Sequence, residues 1–156
     1  MSASVELDEI DRKILRILQQ RADIPNNALA DEVGLTPGPC LRRVQRLRDQ
    51  GVIRRFTVHL DHKLLGFQIA AFVEITLENH TPQIATRFMN EISTKPQVVS
   101  CHMVTGDCDF VLRVLVRDLD EYRKLIWEEL HRIEGVQKIH SIVVLDTLKE
   151  QLNPQL

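Results

Sequence analysis

The chain has 156 residues, 44% of them hydrophobic, and a formal net charge of -2 at pH 7. That content supports a packed core and argues against disorder, and the length allows one domain or two small ones. No apolar run reaches the ~20 residues a membrane helix needs, and the start MSASVELDEIDRK has no apolar stretch behind a basic leader. Cys40, Cys101 and Cys108 are too few and too scattered for a disulfide framework, so a reducing cytoplasm is the expected setting. The charge is unevenly divided. Residues 1–56 hold ten Lys and Arg against eight Asp and Glu, whereas residues 57–156 hold ten against fourteen. Binding follows the local field, so a basic patch can act on a mildly acidic protein.

In chain order, LDEIDRKILRILQQ at 7–20 reads as a helix with Asp8 as N-cap and Asp11 as a capping-box-like acid. Leu7, Ile10, Ile14, Ile17 and Leu18 form its buried stripe, with Arg12, Lys13 and Arg16 on a solvated face. After a connection ending at Pro25, Asn26 or Asn27 is expected to cap a short second helix through Asp31 or Glu32. A turn at Gly34 leads to Thr36, an N-cap whose hydroxyl can satisfy orphan amides, and to Pro37, whose missing N–H costs nothing there. The third helix runs from Pro37 to Gln50, with Cys40, Leu41, Val44, Leu47 and Arg48 at helical spacing, and Gly51 stops it. Six arginines and one acidic residue lie between Arg42 and Arg55. Helix, short helix, turn and third helix is the helix-turn-helix order. Val52–Val58 alternates weakly and reads as a strand or wing.

HLDHKLL at 59–65, ended by Gly66, reads as a hinge. From Phe67 the texture turns β-rich, with Ile69, Ala71, Val73, Ile75 and Leu77 on one face. A helix from Thr81-Pro82 to Ser93 follows, packing Ile84, Ala85, Phe88, Met89 and Ile92. Strands at 98–104 and 109–116 are joined by the turn Thr105–Cys108. A second helix from Leu119 to Ile133, capped by Asp118 or Asp120, buries Leu119, Tyr122, Leu125, Ile126, Leu130 and Ile133. A fourth strand covers 136–145. The order βαββαβ is the ferredoxin-like arrangement, two helices on one face of a four-stranded antiparallel sheet. The expected fold is thus α+β: a winged helix-turn-helix at 1–58, a hinge at 59–66, the ferredoxin-like domain at 67–150 and a tail at 151–156. Phe72, Val99, Cys101, Val111, Arg113, Val143 and their neighbours leave few polar positions on either side of the sheet, so an apolar second face is expected to be buried by sheet-to-sheet dimerisation. A dimer would present two recognition helices to half-sites ~34 Å apart or a multiple of it.

The expected DNA contacts are Arg42, Arg43 and Arg46. Arginine reads guanine O6 and N7 in bidentate fashion or neutralises phosphate, and the sequence leaves both open. Thr36, Pro37, Gly38 and Pro39 stand at the helix N-terminus, where amides and a hydroxyl approach a phosphate. Arg54 and Arg55 are wing candidates, and Cys40 belongs to the core. Thr105–Asp109 reads either as an ordinary hairpin turn or as a small-ligand loop in which Gly106 permits close approach and Asp107 or Asp109 meets an ammonium group. No metal site is expected. His59 and His62 lack neighbouring ligands, and strand alternation sends Cys101 and His102 to opposite faces. Without a nucleophile elbow, a phosphate-binding glycine loop or HExxH, neither a catalytic site nor a cofactor is expected.

LDEIDRKILRILQQ (7–20), LADEVGLTPGPCLRRVQRLRDQGVI (29–53), LDHKLLGFQIAAFVEI (60–75) and TGDCDFVLRVLVRDLDEYRKLIWEELHRIEGV (105–136) together resemble, in family order, the Lrp/AsnC regulators. The resemblance implies a non-enzymatic transcriptional regulator that binds double-stranded DNA as dimers, commonly assembled into octamers. It also implies a free amino acid bound between dimers that changes assembly or DNA affinity. Thr36, Pro37, Pro39, Arg42, Arg43 and Arg46 fall in the family's recognition-helix region, and Thr105, Gly106, Asp107 and Asp109 match its effector loop, with Asp109 as loop orienter or ammonium partner. Ser141 lies near the family's pocket rim. Cys108 departs from the tyrosine or other large residue of many members, so leucine specificity does not transfer by membership. The alternatives are an architectural DNA-binding oligomer without effector and a small enzyme on the ferredoxin-like domain.

Overall fold

The computed structural model describes residues 5–79, 81–151, 153 and 154, so the expected 1–58 and 151–156 segments extend at their ends past the described residues. The chain divides into two compact units, Met1–His59 with Lys149–Leu156, and Leu60–Leu148.

The first unit is helical: α1 (Glu9–Gln20), α2 (Asn26–Val33) and α3 (Pro37–Asp49). α1 starts in a reciprocal capping box. The Asp11 amide donates to Asp8 Oδ1 at 2.7 Å, and the Asp8 amide donates to Asp11 Oδ2 at 3.3 Å. The core gathers Ile14, Leu15, Leu29, Ala30, Val33, Cys40 and Leu47. Leu15 joins the expected stripe, while Leu7, Ile10, Ile17 and Leu18 pack part-buried around it. Three expectations fail locally. Pro25, not an asparagine, occupies the N-cap of α2 and makes no side-chain cap bond, and α2 continues to Val33; Asn26 Nδ2 instead donates to the Pro37 carbonyl at 2.9 Å. Thr36 holds the N-cap position of α3, but its hydroxyl caps no amide. Leu41 is 57% exposed, because the α3 core face is narrow enough to be filled by Cys40, Val44 and Leu47. Gly34, at φ +74, supplies the left-handed residue between α2 and α3, and its amide donates back to Asp31.

Residues 54–60 carry no strand. Val52 and Ile53 pack part-buried against the helices, and the Ile53 amide donates to the Leu47 carbonyl at 3.0 Å. A strand requires a partner, and the three helices of this unit offer none. The tail returns to the same unit: Gln19 Nε2 donates to the Pro154 carbonyl, and His59 lies 3.5 Å from Glu150.

The second unit contains β1 (Ile69–Leu77), α4 (Pro82–Ser93), β2 (Val98–Met103), β3 (Phe110–Val116), α5 (Leu119–Arg123) and β4 (Val136–Val143). The strands form one antiparallel sheet in the order β2-β3-β1-β4, the ferredoxin-like topology. The alternation of β1 is as read, with Ala71, Val73, Ile75 and Leu77 buried. They meet Phe110, Leu112, Val114 and Val116 of β3 and Phe88, Ile92, Leu125, Ile126 and Leu130 of the helices. The Phe88 and Phe110 rings pack tilted against each other, with centroids 4.7 Å apart. α5 begins at the expected cap, Asp118 Oδ1 accepting the Glu121 amide, but after Arg123 it widens to a π-helix over Lys124–Leu130. Leu119 and Met89, expected in the core, are exposed. The register divides the expected apolar residues between the two faces. Cys101 pairs with Leu112 and Val143 with Ala71, so both lie on the helix-covered side at the sheet edges. Phe72, Arg113 and Ile142 share the open face, as do Glu74 and His140, joined at 2.8 Å. That face is mixed rather than apolar throughout.

Candidate functional site

α3 carries the basic residues, and its packing decides which way they point. Burial of Cys40 and Leu47 turns the Arg42–Arg43 side and Arg46 outward. Pro39, Arg42, Arg43 and Arg46 line a shallow depression of about 260 Å³. Thr36, Pro37 and Gly38 are exposed at the start of the same helix. Arg48 leaves the expected apolar stripe and lies over the Phe56 ring, 5.9 Å from its centroid. Arg54 and Arg55 are exposed in the segment after α3.

The arginines do not stand alone. Arg43 Nη1 donates to Asp8 Oδ2 at 2.5 Å and to Asp11 Oδ1 at 2.9 Å, and Arg46 Nη2 donates to Asp11 Oδ2. The two carboxylates that cap α1 therefore also bind two arginines of α3. The bond from the Asp11 amide, and then the Arg43 guanidinium, hold the Asp8 carboxyl below its ordinary value. Bonds from Asp8 and then Asp11 push the Arg43 guanidinium up. The sequence shows only the halves of this pairing: acids three apart at the start of one helix and arginines three apart on another put each pair on one helical face. Their capping role alone does not reveal it.

In the second unit, Thr105–Asp109 is the turn between β2 and β3. The Val104 amide donates to the Asp109 carbonyl, and the Asp109 amide donates to Ile75 at 2.8 Å. Asp109 Oδ2 accepts the Leu77 amide at 2.7 Å, pinning the end of β1 to the turn. Thr105, Gly106 and Asp107 are exposed, and Thr76 Oγ1 reaches the Asp107 carbonyl at 3.5 Å. Burial pushes the Cys108 thiol up, as do the carboxylates of Glu74, Asp109 and Asp107. Ser141 is not brought to this turn within one chain. It pairs with Val73, four positions and about 13 Å along β1 from Leu77. Burial likewise raises the Cys40 thiol, in keeping with its place in the core. Among the described residues no group of three or more His, Cys, Asp or Glu is arranged to hold a metal ion, and no helix is long and apolar enough to cross a membrane.

The comparisons with known proteins follow the same division. A winged helix-turn-helix DNA-binding family model matches residues 7–54, and the Lrp/AsnC ligand binding domain matches residues 70–154. The leucine-responsive regulatory protein of Escherichia coli K12 is 40% identical over 145 residues, covering 93% of this chain and 88% of the relative. Solved structures are similar across nearly the whole chain, two of them as follows. A transcriptional regulator from Neisseria meningitidis in complex with L-methionine has a TM-score of 0.91 and 29% identity, covering 97% of this chain and 96% of that one. An AsnC family transcriptional regulator from Agrobacterium tumefaciens has a TM-score of 0.88 and 34% identity, covering 95% of this chain and 96% of that one. With a winged helix-turn-helix match followed by the family's ligand-binding domain, and relatives of this identity over this length, the chain belongs to the Lrp/AsnC family of DNA-binding transcriptional regulators.

Proposed function

We propose that this regulator binds a two-fold operator as a dimer through paired α3 helices, and that a free amino acid held at Thr105–Asp109 between dimers changes its assembly or DNA affinity. The observation that carries the DNA reading is the depression on α3, where Pro39, Arg42, Arg43 and Arg46 converge. Arginine donors in a concave surface beside a helix N-terminus suit the edge of a duplex, where phosphate contacts set register and base contacts set specificity. Thr36, Pro37 and Gly38 border the contact, and Arg54 and Arg55 extend it along the backbone. The DNA-binding part is residues 1–58, followed by a hinge at 59–66.

The effector reading draws on the turn at 105–109 and on the Neisseria regulator, which was solved with L-methionine. Asp109 orients the loop through the Leu77 amide, while Gly106 and Asp107 lie exposed for the ligand. Ser141 joins the pocket from a neighbouring subunit, its own β4 placement being remote from the turn. A change in affinity by linkage makes binding of amino acid and assembly reciprocal. A thermal-shift screen of the twenty amino acids, followed by sedimentation with and without the hit, tests this. A stabilising amino acid that also shifts the dimer–octamer distribution or operator affinity supports the reading. A flat screen with unchanged sedimentation refutes it and leaves an architectural DNA-binding oligomer.

A further inference from the structure

Asp11 is 1% exposed and is the buried polar or charged side chain among the described residues. A carboxylate out of water carries a large desolvation penalty unless charge and hydrogen bonds compensate it. Here the compensation comes from two arginines of the proposed DNA surface and from the Asp8 amide. Asp11 Oδ1 accepts Arg43 Nη1 at 2.9 Å, and Oδ2 accepts Arg46 Nη2 together with the Asp8 amide. Asp8 Oδ2 takes a second bond from Arg43 Nη1 at 2.5 Å. Two carboxylates thus face two guanidiniums, and the local charge of the four groups sums to zero. Arg42, on the same depression, makes no ion pair among the described residues.

Two physical consequences follow. A guanidinium carries its N–H donors in a rigid planar fork, so anchoring one nitrogen fixes the direction of the others. And an arginine already neutralised by a carboxylate adds little to the field that draws in phosphates and displaces counterions. We infer that Asp11, with Asp8, is a positioning residue for DNA recognition: it holds Arg43 and Arg46 as oriented hydrogen-bond donors for base edges and leaves Arg42 to supply the net charge for phosphate. The inference rests on the reading that α3 meets duplex DNA, and it goes beyond that reading by dividing the arginines into two roles and assigning the division to a buried acid of α1.

The test compares the full-length wild type with Asp11→Asn and Asp8→Asn. The probes are a duplex enriched by the wild type from a random pool and a scrambled duplex, each titrated across salt. Asparagine caps a helix about as well as aspartate, so Asp8→Asn retains the start of α1 while removing one of the two carboxylates bound to Arg43 Nη1. Asp11→Asn is expected to raise scrambled-duplex affinity and to steepen the salt slope by up to about 0.9 per added phosphate contact. It is also expected to lower the enriched-to-scrambled ratio about tenfold or more. Asp8→Asn is expected to move both quantities in the same direction, by less. A purely structural role would change the folded fraction but not the ratio or the slope of the folded protein. Unchanged ratio and slope in the folded variants overturns the inference; if Asp11→Asn does not fold, Asp8→Asn alone decides in the same way. Failure of the underlying reading is separately visible, because Arg42→Ala, which leaves the partners of Asp11 in place, would then bind both duplexes as the wild type does.

Discussion

Asp8 is at once the cap of α1 and a partner of Arg43, and both duties favour its ionised form. Its carboxyl lies below the ordinary value of 3.8, chiefly through the bond from the Asp11 amide. A carboxyl depressed in the folded state contributes stability that is fully present above the unfolded value and is lost as pH falls through the folded one. Acid unfolding of the first unit should therefore begin as pH drops below about 4, in step with the unfolded carboxylate range. In Asp8→Asn that acid limb should flatten, as followed by circular dichroism against pH. An identical acid limb in the variant would show that the capping carboxylate does not set the transition. Asp109 offers a second separation of roles. Asparagine keeps an acceptor for the Leu77 amide but removes the charge, whereas alanine removes both. Asp109→Asn should fold as the wild type, and Asp109→Ala should lose about 1–3 kcal/mol in denaturant, the cost of a stranded amide. If the charge is what an amino acid's ammonium group meets, both variants lose the effector response; if Asp109 only orients the loop, Asp109→Asn keeps it.

At the scale of the element, the cap of α1, the alternation of β1 and the positions of all four strands were legible, because each rests on local chemistry or on a strict two-residue period. The errors share a different cause. Leu41, Met89 and Leu119 have helical spacing and apolar side chains, yet only packing decides how wide a buried stripe is. The π-helical turn at Lys124–Leu130 keeps Leu125, Ile126 and Leu130 in the core while leaving Trp127 exposed, and no residue type announces it. The site was legible in part: the arginines of α3 stand out by charge, but their partners Asp8 and Asp11 lie more than thirty residues away and are visible only once the helices pack. Gly135 illustrates an element-level constraint that is strong. Its φ is +90, and a Cβ there would sit 2.5 Å from Ile84 Cγ2 of α4. Gly135→Ala should destabilise the second unit by about 1–3 kcal/mol, since both the backbone conformation and the packed α4 resist it. Equilibrium unfolding would expose a wrong assignment if the midpoint did not move.

For the whole molecule, the open sheet face is the surface proposed for closing a dimer. Phe72 is 42% exposed and pairs with Ile142 and Arg113, beside the Glu74–His140 hydrogen-bonded pair. A mixed face of this kind suits a self-complementary contact between two copies, in which apolar residues meet and polar groups fix register. Phe72→Glu should shift sedimentation from dimer to monomer at micromolar concentration and lower operator affinity, because paired half-sites can no longer be engaged together. A variant that stays dimeric would place the interface elsewhere. The winged helix-turn-helix unit and the sheet unit would then be linked by function through assembly.

The central claim, that α3 is the DNA-binding element, is tested most directly by operator affinity as a function of salt. The wild type is compared with Arg42→Ala and with Arg12→Ala, which alters the exposed face of α1. The expected result is a log–log slope shallower by about 0.9 and weaker binding for Arg42→Ala, with Arg12→Ala close to the wild type. Equal slopes and affinities for the wild type and Arg42→Ala would contradict the account.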